Sequence, residues 1–350
     1  MSKILVTGGA GYIGSHTTLR LLEMGYEVLI IDSLENSSPK VIEKIKRILS
    51  FGKSKLTGKI DFIEADLKDY KLLENIFNKN KDSGNPINGV IHFAGLKAIN
   101  ESVINPLKYW DNNLISTINL LKVMQSNNCN NIVFSSTAAV YGLNEQKLIT
   151  EESSLLPINP YGKTKLTIEN ILKDLFLSSS NKWKITNLRY FNPIGSHPSG
   201  LIGESPLRKP NNIFPLIMQV AAGDIDKLKI YGSDWPTKDG TGVRDYIHVM
   251  DVADSHIKVL EFLINSEPVC LSLNVGTGIG TSVLDLVKTF ERVNDIKVPY
   301  VFEERRSGDA PYVVADNSLL ISKMNIIPKK NIEDMCRDGW KWKILNPNGF

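Results

Sequence analysis

Two stretches carry residue types able to move a proton at an alcohol carbon. Residues 161–165 read Tyr161-Gly162-Lys163-Thr164-Lys165, and residues 135–137 read Ser135-Ser136-Thr137. On a helix, positions four apart share one face, so Tyr161 and Lys165 would stand side by side. An ammonium beside a phenol stabilises the phenolate and lowers its pKa, and an oxidised nicotinamide nearby would add to the effect. A phenolate in reach of a sugar hydroxyl is a general base for oxidation of the carbon bearing it. The Thr137 hydroxyl can orient that substrate or relay the proton. A Tyr-x-x-x-Lys pair alone arises by accident in many chains, so its meaning depends on the elements that hold it.

The chain opens with an apolar run, residues 3–7, that breaks into Gly8, Gly11 and Gly14, after which a helical pattern begins. Gly8 lets the chain turn off the strand, Gly11 leaves room for a phosphate against the backbone, and Gly14 lets helix and strand pack closely. The first helical N–H groups would then face a pyrophosphate. A second apolar run, 27–31, ends at Asp32, whose carboxylate suits both ribose hydroxyls of an adenosine and repels a 2′-phosphate. This combination predicts NAD rather than NADP. Further strands are predicted at 60–66, 89–93, 132–136 and 184–190, separated by helical patterns at 41–49, 70–78, 106–126 and 161–177. The fold class that follows is α/β: a doubly wound, Rossmann-type parallel sheet with ligands at the carboxyl ends of its strands. From residue 192 the pattern loosens, with Gly, Pro, Asn and Ser crowding 192–212 and 232–242. Helices are predicted near 213–222 and 249–264, and a βα step at 271–293. The expected organisation is an NAD-binding domain, 1–191, and a smaller α/β substrate domain, 192–350, partly interleaved with it. Asn112-Asn113 lies inside an apolar helical pattern, where an amide needs a structural or a cofactor hydrogen bond.

The balance of 41 basic and 38 acidic residues, net +3, gives no surface suited to nucleic acid. Three scattered cysteines, none in a Cys-x-x-Cys pair, predict neither disulfides nor a metal site and suit a reducing compartment. No apolar run reaches membrane-spanning length and no leader pattern precedes the first strand, so a cytoplasmic location is expected.

These motifs together resemble the extended short-chain dehydrogenase/reductases, and among them the UDP-glucose 4-epimerase family. The likeness runs through 7–15, 90–102, 134–142, 159–165, 188–195, 240–252 and 305–309, with Gly240-Thr241-Gly242-Val243-Arg244-Asp245-Tyr246-Ile247-His248-Val249 the most specific part. It implies a homodimer with tightly held NAD, interconverting UDP-galactose and UDP-glucose through a 4-keto sugar in galactose metabolism. It also implies Tyr161, Lys165 and Thr137 as catalytic residues. NAD would be held by Gly8, Gly11, Tyr12, Ile13, Gly14, Asp32, Asn36, Ser37, Asp66, Leu67, Phe93, Ala94, Gly95, Lys97, Asn112, Tyr161, Lys165 and Phe191. The UDP-sugar would meet Thr137, Asn192, Asn212, Tyr231, Arg244, Arg306, Asp309 and Val313. Two departures stand out: Thr137 replaces the family's usual Ser, and Val313 stands where a Tyr or Cys is common, with Tyr312 one residue earlier. The smaller Val313 suggests secondary activity on UDP-N-acetylhexosamines. Arg305 and Arg306 compete for the pyrophosphate. A 4,6-dehydratase would share the first oxidation but need an acid and a base beside Thr137, where this chain has Ala138 and Ala139. A non-catalytic NAD-sensing protein would have no use for Tyr161, Lys165 or the arginines.

Overall fold

The computed structural model describes residues 2–51, 58–144, 146–178, 182–208, 210, 212–306 and 308–350. In the first half, β1 (Lys3–Thr7), β2 (Glu27–Asp32), β3 (Ile60–Glu64), β4 (Ile87–His92), β5 (Asn131–Thr137) and β6 (Lys184–Tyr190) alternate with helices. Those helices are α1 (Tyr12–Glu23), α2 (Lys40–Phe51), α3 (Tyr70–Asp82), α4 (Ile99–Ile104), α5 (Pro106–Trp110), α6 (Ser116–Ser126) and α7 (Pro160–Ser178). Next come β7 (Asn192–Ile194), α8 (Ile213–Ala221), β8 (Leu228–Tyr231), β9 (Val243–His248), α9 (Val249–Asn265), β10 (Val269–Val275) and β11 (Gly280–Ser282). The chain closes with α10 (Val283–Asn294), β12 (Tyr300–Glu303), β13 (Tyr312–Val313), α11 (Ser318–Met324) and α12 (Ile332–Leu345).

Among the described residues, seven parallel strands form one sheet in the order β10-β6-β5-β4-β1-β2-β3. Strand order reverses beside β1, which opens a crevice at the carboxyl ends of β1 and β4. Side chains along each strand alternate between two cores. Ile4, Val6, Val28 and Ile30 face α1, α2 and α9, whereas Leu5, Leu29, Ile31 and Phe134 face α3, α6 and α7. The sheet is therefore buried on both faces, as an all-parallel sheet requires. Its seventh strand, β10, and the covering helix α9 both come from beyond residue 191. The rest of the second half builds smaller sheets, β9 with β7, β11 and β13, and β8 with β12, over a separate core. No helix among the described residues is long and apolar enough to cross a membrane.

The uninterrupted helix expected over 106–126 is instead α5, a single wide π turn at Asp111–Ile115, and α6. The buried Asn113 explains the interruption. Its Oδ1 accepts from Leu96 N–H at 2.8 Å, and its Nδ2 donates to Leu96 C=O at 3.1 Å and to Thr164 Oγ1 at 3.1 Å. Ser116 and Thr117 hydroxyls donate back to the carbonyls of Asn112 and Asn113 at 2.5 and 2.7 Å, satisfying oxygens that the wider turn frees. The asparagine question thus resolves toward structure at Asn113. Asn113→Leu strips the Leu96 N–H and C=O of their side-chain partner and leaves Thr164 Oγ1 only its bond to Tyr161 C=O, and we expect it to lower unfolding free energy by about 2–4 kcal/mol. Urea denaturation of the variant and the parent checks this; equal midpoints would show that Asn113 does not hold the turn.

Candidate active site

The β1–α1 turn is shaped by what cannot be there. Gly8 has φ +68°, and a Cβ on it would lie 2.7 Å from Ala94 N; a Cβ on Gly14 would lie 2.3 Å from Gly8 O. Helix α1 starts after Gly11 with no side-chain cap and no acidic residue in its first turn. The N–H groups of Tyr12, Ile13 and Gly14, which precede any intrahelical acceptor, mark a site for an anion. At the end of β2, Asp32 is held rigidly: Oδ2 accepts from Ala10 N–H at 3.0 Å, and Oδ1 accepts from Leu34 N–H at 2.9 Å and Ser37 Oγ at 2.8 Å. A fixed carboxylate beside an uncapped, glycine-lined helix start fits a dinucleotide with a free ribose diol.

The remaining first-half candidates line the same edge. Leu67 is buried after β3, and the Asp66 side chain accepts from Lys68 N–H at 2.8 Å. Phe93, Ala94 and Gly95 follow β4, and Phe191 follows β6. Asn36 Oδ1 accepts from Arg208 N–H at 3.3 Å. Tyr12 donates to Gly195 C=O at 2.6 Å, tying α1 to the segment after β7. Lys97 places its ammonium 3.2 Å from Glu204 and 5.9 Å from the Tyr12 ring centre. Asn112 sits on the π turn, half-buried. Below this edge His92 is buried between Thr7 Oγ1 at 2.7 Å and Thr117 Oγ1 at 2.9 Å. Burial, with Lys165 nearby, lowers its pKa to about 3, so it is neutral.

Thr137 ends β5, and its Oγ1 accepts from Ala139 N–H at 3.1 Å, starting the short turn Ala138–Tyr141. Tyr161 lies on the first turn of α7. Burial raises its pKa to about 12, opposed by the neighbouring Thr137 hydroxyl, which pulls it down. The expected lowering by Lys165 is not seen: the Lys165 ammonium instead donates to Ser135 C=O at 2.8 Å and lies 4.8 Å from the Phe134 ring centre. Burial lowers the Lys165 pKa to about 8, opposed by the charge of Glu169.

A second group gathers on β9 and its neighbours. Arg244 donates to the carbonyls of Val243 and Ala310, each at 2.9 Å, and lies 3.5 Å from Asp309. Its neighbour Asp245 is wholly buried, accepting from Thr277 N–H, Thr277 Oγ1, Gly278 N–H and Ala315 N–H, which pins the strand beneath Arg244. Arg306 stacks 3.6 Å above the Tyr231 ring. Arg305 is committed elsewhere, to Asp234 at 2.7 Å and the Trp235 ring at 4.0 Å, which separates two arginines that spacing cannot. Val313 pairs in register with Arg244 and packs against a small cluster of Val140, Tyr141, Ile149, Phe191 and Ala315, linking the two groups. Tyr312 points away from that space, its hydroxyl donating to Pro236 C=O at 3.3 Å, so it does not substitute for Val313. Asn192 pairs with Tyr246 beside this group, whereas Asn212 is an exposed residue before α8 with no capping bond. His248 is structural: its Nδ1 accepts from Met250 N–H at 3.0 Å and Nε2 faces Asp338 at 3.2 Å.

Spacing did not single out Glu169 and Arg189, which with Ser136 form a buried cluster behind Lys165. A signal was present: Glu169 continues the Tyr161, Lys165 series by one further turn of the helix.

Comparison with known proteins adds to this geometry. A family model described as GDP-mannose 4,6 dehydratase matches residues 5–339. UDP-glucose 4-epimerase 2 of Arabidopsis thaliana is 49% identical over 348 residues, covering 99% of this chain and 97% of that protein. The crystal structure of a UDP-glucose 4-epimerase from Stenotrophomonas maltophila, with bound NAD and formylated UDP-arabinopyranose, superposes with TM-score 0.92 at 42% identity, covering 99% of each chain. That of the Bifidobacterium longum UDP-glucose 4-epimerase, in complex with NAD+ and UDP, gives 0.91 at 42% identity with both chains fully covered. With such identity sustained from end to end, this chain belongs to the UDP-glucose 4-epimerase family of the extended short-chain dehydrogenase/reductases.

Proposed function

We propose that the protein is an NAD-dependent UDP-glucose 4-epimerase, interconverting UDP-galactose and UDP-glucose. The observation that carries this reading is Tyr161, next to Thr137 and one helical turn from the buried Lys165 ammonium, at the edge of a sheet whose glycine turn fits a dinucleotide. Bound NAD supplies the hydride acceptor and donor for C4 of the sugar. Asp32 holds the adenosine ribose, and the free N–H groups of α1 hold the cofactor pyrophosphate. Lys165 contributes a positive charge that favours the Tyr161 phenolate. Thr137 orients the 4-hydroxyl, and Tyr161 removes its proton as C4 is oxidised to the ketone. Arg244 and Arg306 keep the substrate pyrophosphate anchored while the 4-keto sugar turns its other face, after which Tyr161 returns the proton. Ala138 and Ala139 bring no acid or base to C5 and C6, which argues against a dehydratase.

Incubating the purified protein with UDP-galactose and no added NAD is expected to yield UDP-glucose, and heat denaturation to release NAD rather than NADP. Tyr161→Phe is expected to cut turnover by about 10²–10⁴-fold while nucleotide binding is kept. Near-parental rates in that variant would remove Tyr161 from the mechanism.

Substrate range turns on Val313. Because Tyr312 faces Pro236, the volume that a Tyr would fill stays open, apart from the methyl of Thr137. Secondary activity on UDP-N-acetylhexosamines is therefore expected. Val313→Tyr should lower it roughly 10- to 100-fold relative to UDP-galactose. Parallel loss of both activities would assign Val313 to packing alone.

The pairing of two copies follows from exposed apolar side chains on α4 and α5. Val103, Ile104 and Leu107 are 61, 75 and 81% exposed, and both helices pack on α7. A contiguous apolar patch of this kind marks an association surface. Light scattering is expected to give a homodimer, and Ile104→Asp/Leu107→Arg a monomer; a monomeric parent would dispose of the surface.

A further inference from the structure

Behind the Tyr161–Lys165 pair lies a carboxylate that the proposed reaction does not itself use. Glu169 is two helical turns beyond Tyr161 and one beyond Lys165, on the face of α7 turned to the sheet. Its Oε2 accepts from Arg189 Nη2 at 2.6 Å and its Oε1 from Arg189 Nε at 3.0 Å, with the two side chains 5 and 4% exposed. Oε1 also accepts a short hydrogen bond from Ser136 Oγ. Ser136 and Arg189 are register partners on β5 and β6, so one carboxylate clamps both strands to α7. Ser136 lies between Ser135, whose carbonyl receives the Lys165 ammonium, and Thr137, whose hydroxyl acts on the Tyr161 phenol. Arg189 also donates to Tyr141 Oη at 2.9 Å and Glu151 C=O at 3.3 Å. A paired ion needs no more than Arg189, yet the carboxylate also sits one turn along α7 from a second buried cation, Lys165.

We propose that Glu169 is a positioning residue for the epimerase reaction, holding the end of β5 in register with α7 and keeping the Lys165 ammonium charged. This rests on the functional reading above. A buried ammonium beside a carboxylate retains its proton to higher pH than one without. Glu169 opposes the burial that draws the Lys165 pKa down. The other titratable groups around Lys165 cannot take this part. His92, from β4, is neutral, and Tyr161 is the phenol being served. Arg189 is a cation, and Tyr190, on β6, is held as a phenol far above its ordinary range by burial. Tyr141, in the turn after β5, is likewise a phenol, raised to about 12 by burial, and the Cys270 thiol on β10 is raised too. On the outer helices packed against α7, Glu101 and Lys108 pair with each other at 3.1 Å, and Asp111 pairs with Lys68 at 3.1 Å.

The test compares pH profiles of the holoenzyme with UDP-galactose for the parent, Glu169→Gln, Glu169→Asp and Glu169→Gln/Arg189→Met. The double variant removes both members of the ion pair, so it does not strand a buried guanidinium. In both Gln variants the alkaline limb of kcat is expected to move down by about one pH unit, with KM little changed. Glu169→Asp keeps the charge and is expected to restore most of the limb. A uniform fall in kcat at every pH, with the limb in place, would reduce Glu169 to a structural part and overturn the proposal. NMR titration of ¹³Cε-labelled lysine, with Lys165→Met assigning the resonance, reads the same ionisation without turnover. An unmoved Lys165 titration in the Gln variants overturns the proposal whatever the activity. Absence of epimerisation in the parent would count against the functional reading instead, and the lysine titration would still decide the role of Glu169.

Discussion

An ammonium withdrawn from water loses several kcal/mol of solvation unless its surroundings replace what water gave. Lys165 is withdrawn almost completely, at the junction of β5 and α7. A carbonyl, an aromatic face and a carboxylate one turn away stand in for water there. The first two substitutes, Ser135 and Phe134, are neighbours on β5, and the third, Glu169 on α7, is itself held by Arg189 of β6, so the lysine can be buried only when β5, β6 and α7 are all correctly docked. The chemistry at Tyr161 therefore depends on tertiary assembly rather than on the helix that carries it. The same dependence accounts for the polar cluster of Ser136, Glu169, Arg189 and Tyr141, since a partly satisfied network in that place would be worse than none.

The two groups of candidate residues are joined by several contacts. Tyr12 reaches Gly195, Lys97 reaches Glu204, and Val313 packs against the cluster that holds Phe191. Each join links a residue on the dinucleotide side to one on the nucleotide-sugar side. Under the proposed function, a substrate between β5 and β9 would be bounded on one side by Thr137 and Tyr161 and on the other by Arg244, Arg306 and Tyr231. The arginines are held by backbone carbonyls or an aromatic ring, which leaves their charge uncommitted to a strong carboxylate bond: Arg244 is 3.5 Å from Asp309.

What was legible in the sequence was what depends on short spacing. The strand, glycine turn, helix and Asp32 sequence needs only about thirty residues in order, and Tyr161 with Lys165 needs one helical turn. The parallel sheet followed from strands alternating with helical patterns. What was not legible depends on contacts across the fold. The π turn at Asp111–Ile115 is invisible to an apolar period because its cause, Asn113, bonds Leu96 and Thr164 from other segments. Arg305 and Arg306 cannot be told apart until Asp234 and Tyr231 are placed beside them. The direction of Tyr312 needed the pairing of β13 with β9 to fix which side each residue faces. The phenol pKa was misjudged because spacing reveals the neighbouring charge but not the depth of burial.

The seventh strand of the large sheet has a consequence in time. β6 ends at Tyr190, but its outer neighbour β10 starts only at Val269. At roughly 5–20 residues per second, a ribosome leaves the β6 edge without its partner for several seconds. During that interval a row of N–H and C=O groups from a strand buried in the finished protein is open to any other chain that can pair with it. Synthesis is thus more hazardous for this protein than its finished surface suggests. Slowing translation between codons 190 and 269 would lengthen the exposure, whereas occupancy of the β6 edge by a chaperone would protect a catalytic strand before the site it serves exists.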